Sequence, residues 1–247
     1  MRLTKRIERG LLRRLLPQPV AARHAEYSMI FSSDDDPGRP SRTLLDLAQE
    51  AVRLAPDVSL TPVSSRMTEG PPYFPDVWPG EVYKLLAALV QVRRPSLILD
   101  IGTGGGTSVL AMRQTLPPGG RIVTFDVIGW QDYAGTLLRQ DDFQDGRLEQ
   151  FTDDVTRPEG FAKHLKLFEA AQLLYVDAAK DGVMEQRLLD LLGTVPFGTA
   201  PLLVFDDIRL WPMLRTWRAI ARPKLDVTSF GHWTGTGLVE WPPLRRV

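Results

Sequence analysis

The sequence predicts an α/β protein: a doubly wound, mostly parallel sheet with an antiparallel edge, preceded by an N-terminal helical segment. Three observations predict it. From residue 97 onward, strand-like apolar runs alternate with helical stretches, the pattern of a parallel sheet covered on both faces. The first run leads straight into a glycine-rich turn, DIGTGGGTS (100–108). The last two runs follow each other too closely for a crossover helix, which implies an antiparallel pair at the sheet edge.

The elements follow in order. MRLTKRIERGLLRRLLPQP reads as an amphipathic helix ending before Pro17, with Leu3, Ile7, Leu11 and Leu15 on one side and Arg2, Arg6, Arg9 and Arg13 on the other. Packing on its own domain is the favoured reading, ahead of contact with an anionic membrane or docking to a partner. SSDDDPGRPSR (32–42) is a loop, and a helix over about Leu44 to Ala55 follows, with Thr43 as N-cap and Pro56 as stop. The proline-rich, aromatic MTEGPPYFPDVWPG suits a loop lying over something, before a helix from Glu81 to Val92. Residues 1–80 are thus expected to form a helical and irregular cap, and 81–247 a ligand-binding domain. The expected strands are LILDI (97–101), RIVTFDV (121–127), RLEQFT (147–152), LLYVD (173–177), PLLVFDD (201–207), LDVTSF (225–230) and TGTGLVEW (234–241). Helices are expected to begin near Thr107, Gln131, Pro158 and Asp181, with a last one around Leu210 to Ala221.

Composition narrows the function classes. The 247 residues suffice for one well-packed domain with an appended segment, and a 43% hydrophobic, 24% charged composition argues for a folded chain. Thirty basic and thirty acidic residues cancel, which argues against nucleic acid as a partner. No cysteine means no disulfide, zinc-thiolate site or thiol nucleophile. No apolar run is long enough to span a bilayer and no secretory signal is visible, so a cytoplasmic protein is expected. The oligomeric state stays open, a homodimer included.

The glycine turn lacks the lysine of a phosphate-binding P-loop. Gly102 and Gly104 fit a dinucleotide fingerprint, but Thr107 stands in the third place. Asp100, at the strand end, would repel a pyrophosphate and welcome a ligand bearing an ammonium and a sulfonium. S-adenosylmethionine is such a ligand. Asp126, ending the second strand, can accept hydrogen bonds from ribose hydroxyls, and Asp153 and Asp154 are placed to meet an adenine amino group.

Strand ends four and five carry the remaining chemistry. If strand four neighbours strand one across the reversal of strand order, with five beside four, then Asp177 and Asp206–Asp207 share one crevice. Carboxylates this close repel, and an all-oxygen set favours a hard divalent cation: Mg²⁺ first, then Mn²⁺ or Ca²⁺. Such a cation can lower the pKa of a substrate hydroxyl, and Lys180, one turn past Asp177, can take the proton. Taken singly, each Asp can instead be a helix N-cap and Lys180 a solvated side chain. Two other readings stay open: an NAD(P)-dependent oxidoreductase, and a non-catalytic cofactor-binding scaffold.

With DIGTGGGTS, VTFDV, YVDAAKD and VFDDI in this order, residues 80 to 241 resemble the cation-dependent class I S-adenosylmethionine O-methyltransferases, the group of catechol and caffeoyl-CoA O-methyltransferases. The resemblance implies a seven-stranded Rossmann-like sheet and a small-molecule hydroxyl acceptor. It implies that Gly102, Gly104 and Ser108 line the methionine end of the cofactor, with Asp126 at the ribose and Asp153 or Asp154 at the adenine. It also implies Asp177, Asp206 and Asp207 as metal ligands and Lys180 as general base. Asp207 stands where those enzymes usually carry Asn. Sugar O-methyltransferases of antibiotic pathways look similar there, so phenol, catechol and sugar hydroxyls are all open as acceptors. Trp130, Trp211, Trp217 and Trp233 are read as packing residues ahead of acceptor walls. Of His24, His164 and His232, only His232 is a faint candidate for the acceptor pocket.

Overall fold

The computed structural model describes residues 38–67 and 75–242. The expected N-terminal amphipathic helix, His24 and much of the loop at 67–80 lie outside them. Seven strands form one sheet: β1 (Leu97–Ile101), β2 (Arg121–Phe125), β3 (Leu148–Phe151), β4 (Leu173–Val176), β5 (Leu202–Asp206), β6 (Lys224–Asp226) and β7 (Thr236–Glu240). Their order is β3-β2-β1-β4-β5-β7-β6. The first five are parallel, and β7 inserts antiparallel between β5 and β6. Strand order reverses between β1 and β4, the place where doubly wound sheets open a crevice beyond their carboxyl ends.

The helices are α1 (Arg42–Leu54), α2 (Thr61–Ser64), α3 (Tyr83–Arg93), α4 (Thr107–Gln114), α5 (Pro158–Lys163), α6 (Leu165–Ala170), α7 (Val183–Leu192) and α8 (Met213–Ala219). Strand residues alternate between two buried layers, as a pleat requires. Ile98, Ile122, Tyr175 and Val204 join Leu44 and Ala48 of α1, Leu85 and Leu89 of α3 and Leu110 of α4 in one continuous core. Phe125 stacks instead on Phe168 of α6, which stacks on Phe161 of α5. Because α1 belongs to the first core, the boundary expected between residues 80 and 81 is not a packing boundary among the described residues.

Several local expectations are corrected. The cap of α1 is Ser41, whose Oγ accepts from Leu44 N at 3.0 Å; the helix begins at Arg42, one residue before the expected cap Thr43. No α-helix begins near Gln131. Gly129 and Gly135 flank that stretch, glycine disfavours a helix, and the chain turns where Asp132 N donates to Gly129 O. The loop then returns to the glycine turn, with Leu137 N donating to Gly105 O at 2.8 Å. The strand expected over 225–230 stops at Asp226, whose Oδ1 accepts from Thr228 N and ends it in a turn.

Gly102 is where backbone packing is tightest for the site. Its φ is +107°, and a Cβ there would collide with the carbonyl oxygen of Asp177. The ends of β1 and β4 therefore meet backbone to backbone, with Asp177 N donating to Ile101 O at 2.9 Å. A Gly102→Ala substitution combines collision with a disfavoured φ and is expected to cost about 2–4 kcal/mol. Urea unfolding of the full chain measures this; an unchanged midpoint and slope would contradict it.

Candidate active site

A cleft of about 650 Å³ opens beyond the carboxyl ends of β1, β2 and β4. Gly102, Gly104, Ser108, Asp126, Asp153, Asp154, Asp177 and Lys180 all line it, so the reversal of strand order brings together residues up to 78 positions apart in sequence. Gly104 and Gly106 both have positive φ, and the Gly106 position is closed by Leu138, where a Cβ would collide. Asp126 Oδ2 accepts from Gly104 N at 2.9 Å and Oδ1 from Ile128 N at 3.1 Å, which fixes its carboxylate at the mouth of the turn.

Asp100 is not on the cleft wall, contrary to the expectation that its carboxylate faces a cationic ligand. It is fully buried, accepting from Ser108 Oγ at 3.0 Å and Thr124 Oγ1 at 2.5 Å. As the second-last residue of β1 it points between the sheet and α4, where it braces the start of that helix. Asp153 and Asp154 line the cleft, but their carboxylates are engaged by protein. Asp153 accepts from Lys163 Nζ at 2.7 Å and pairs with His164 Nε2 at 2.8 Å. Asp154 closes its own turn by accepting from Thr156 N and Oγ1, and it also pairs with Arg157.

At the other end, Lys180 Nζ lies 2.8 Å from Asp177 Oδ1 and also pairs with Asp207 Oδ2. Lys180 has a φ of +58° and Asp207 of +60°, the left-handed region that Asp tolerates better than most residues. The Lys180 turn is held by Glu185, a buried residue of α7 whose carboxylate accepts from Lys180 N at 2.7 Å and Gly182 N at 2.8 Å. Asp206 is buried, and among the described residues its Oδ1 has no hydrogen-bond partner. His232, in the turn between β6 and β7, faces it: Nδ1 lies 3.6 Å from Asp206 Oδ1 and 3.5 Å from Asp207 Oδ1. Glu81 and Tyr83, at the start of α3, close the same corner.

Burial and mutual repulsion govern the electrostatics. Burial first, then the Asp206 charge, push Asp177 up to about 6 against the opposing pull of Lys180. Burial also raises Asp207, but hydrogen bonds from His232, Lys180 and Thr234 outweigh it and bring it down to about 2. Lys180 is held well above its ordinary value: burial works against the charge, and Asp177 with Asp207 overcome it. His232 follows the same logic, burial opposing and Asp206 and Asp207 prevailing, up to about 10. Without a cation, Lys180 is therefore an ammonium rather than the accessible neutral amine that a base requires.

Sequence reading missed Glu185, Glu81, Tyr83 and the position of His232, since none carries a spacing signal linking it to a strand end. Trp217 is a core residue beneath Gly237 and Trp130 stacks on Phe143, as packing readings expect, whereas Trp211 and Trp233 are largely exposed. No described helix is long and apolar enough to cross a membrane.

No family model matches the chain. Catechol O-methyltransferase of Mus musculus is 26% identical to it over 129 residues, covering 51% of this chain and 47% of the relative. The chain spans about half the length of that relative. Among solved structures, the O-methyltransferase TomG from Streptomyces achromogenes, involved in tomaymycin synthesis, is 18% identical with a TM-score of 0.48, covering 83% of this chain and 92% of that one. A methyltransferase from Geobacter sulfurreducens is also 18% identical, with a TM-score of 0.47 over 64% of this chain and 78% of that one.

Asp100 supplies a pH test that separates it from the other carboxylates of the site. Burial, against the hydrogen bonds of Thr124 and Ser108, pushes it up to about 7 from an ordinary value of 3.8. A carboxyl raised on folding favours the folded state most below its unfolded value, and that contribution is lost as pH rises through about 7. Asp100→Asn is therefore expected to flatten the fall in stability between about pH 4 and 7, read as unfolding free energy against pH. An identical slope in the variant would show that Asp100 does not titrate there.

Proposed function

We propose that the chain is an S-adenosylmethionine-dependent, divalent-cation-dependent O-methyltransferase acting on a hydroxyl of a small molecule. The observation that carries this is the single cleft, lined at one end by the glycine turn and Asp126 and at the other by Asp177 and Lys180. A nucleoside and an acceptor hydroxyl can share it. Asp126 has one lone pair of each oxygen committed to backbone N–H groups, which leaves acceptor capacity for ribose hydroxyls. Gly102 and Gly104 give close backbone approach for the methionine end, and Ser108, held by Asp100, closes that wall. The segment from Asp153 to Thr156, which lines the cleft, is the part that would meet the adenine.

Asp206 and Asp207, with Asp177 across Lys180, are the residues that would hold the cation. The fit is supported by the buried, unpartnered Asp206 Oδ1, since leaving such an acceptor dry costs about 1–3 kcal/mol. When bound, S-adenosylmethionine supplies the electrophilic methyl and the cation supplies charge stabilisation to the acceptor oxygen. The chain's own residues position and deprotonate. Lys180 stands within reach of both Asp177 and Asp207, and neutralising those carboxylates is what frees its ammonium to release a proton and act as base. Positioning and charge stabilisation account for the rate. The acceptor, a phenol, catechol or sugar hydroxyl, would enter the cleft on the side lined by Tyr83 and Lys180.

Three outcomes are expected. S-adenosylhomocysteine should raise the melting temperature of the full chain and NAD should not; the reverse result would restore the oxidoreductase reading. With an acceptor identified from a panel of phenols, catechols and sugars, chelator-stripped protein should lose methyl transfer and recover it on Mg²⁺ addition. Lys180→Met should lower kcat by about 10²-fold or more while leaving S-adenosylhomocysteine affinity near that of the parent. Full kcat in that variant would remove Lys180 as base.

A further inference from the structure

The cation site proposed above rests on carboxylates, and the tertiary structure adds a nitrogen to it. Among the described residues, the ligand atoms of Asp206, Asp207 and His232 lie within 4.8 Å of one another. Asp206 is only 5% exposed, and its unpartnered Oδ1 is the atom facing Nδ1 of His232. Asp177, by comparison, is engaged by Lys180 and by the hydroxyl of Tyr175.

The imidazole is held in this orientation from several sides. His232 N donates to Thr236 Oγ1 at 2.9 Å, and the residue bridges to Gly80. Thr234 Oγ1 lies 2.7 Å from Nδ1 and donates to Asp207 Oδ1. On the far side of the ring, Nε2 lies 4.0 Å from the buried carboxylate of Glu81. One ring nitrogen thus faces a pair of carboxylates and the other faces the buried Glu81 carboxylate, within ion-pair but not hydrogen-bond distance.

We infer that His232 is a nitrogen ligand to the cation, so that this chain binds its metal through two carboxylates and an imidazole and prefers a first-row transition ion to Mg²⁺. The inference rests on the proposed cation site. Its physical basis is donor chemistry: oxygen-only sets suit Mg²⁺, Ca²⁺ and Mn²⁺, whereas an imidazole adds affinity along the series from Mn²⁺ through Co²⁺ and Ni²⁺. Glu81 orients the imidazole and is a positioning residue.

The test uses the full chain, stripped with a chelator and reloaded with one equivalent of Mn²⁺. Electron spin-echo spectroscopy should show ¹⁴N modulation from a coordinated imidazole, and the modulation should vanish in both His232→Asn and His232→Gln, with circular dichroism confirming that each variant is folded. Calorimetric titrations should show Co²⁺ and Mn²⁺ bound more tightly than Mg²⁺. In the variants their affinities should fall about 10–100-fold, while that for Mg²⁺ changes far less. Mn²⁺ binding without ¹⁴N modulation in the parent protein overturns the role of His232 and leaves the carboxylate site standing. Failure of Mg²⁺, Mn²⁺ and Co²⁺ alike to bind overturns both.

Discussion

Mutual repulsion among buried carboxylates at the ends of β4 and β5 is the constraint on which the rest of the site depends. Adjacent parallel strands bring the half-buried Asp177 beside the buried Asp206 and Asp207, and burial denies that pair the water that would screen it. The molecule answers with two cations of its own. Lys180 bridges Asp177 and Asp207, and the His232 imidazole faces Asp206 and Asp207. Even so, among the described residues one oxygen of Asp206 stays unpartnered. Each local oddity of the region serves this arrangement: the left-handed backbone at Lys180 and Asp207, the Glu185 brace under the Lys180 turn, and the short hairpin that carries His232.

The same strand ends are joined to the glycine turn by direct backbone contact. Gly102 lets β1 approach Asp177 closely, so the glycine turn and the acidic strand ends are joined backbone to backbone. Asp100 contributes from within rather than at the surface, tying the α4 start to β1 and β2 through Ser108 and Thr124. The methyl transfer proposed above would need an acceptor oxygen aligned closely with a methyl group, which is what fixed strand ends favour.

Much of this was legible along the chain. The apolar runs, their spacing and the glycine turn specify a parallel sheet with an antiparallel edge, because periodicity and turn chemistry are local properties. Asp126, Asp177, Lys180 and Asp206–Asp207 were legible for a related reason: each sits at a strand end, and strand ends in this fold converge. The misread segment near Gln131 failed on local grounds too, since Gly129 and Gly135 outweigh the intervening polar residues. Asp100 failed differently. Strand-end position alone does not say whether a side chain points to solvent or into the interior, and the pleat turned it inward.

By itself, then, the sequence determined the fold class, the glycine turn and the set of acidic strand ends, all of which follow from patterns within a few residues of one another. Only the tertiary structure decided that His232 and Glu81 join Asp206 and Asp207, that Glu185 braces Lys180, and that Asp100 is sealed away from the cleft. Those relations link residues from 5 to more than 150 positions apart. They depend on how β7 inserts between β5 and β6 and on which way each side chain leaves the pleat, and no local pattern encodes either.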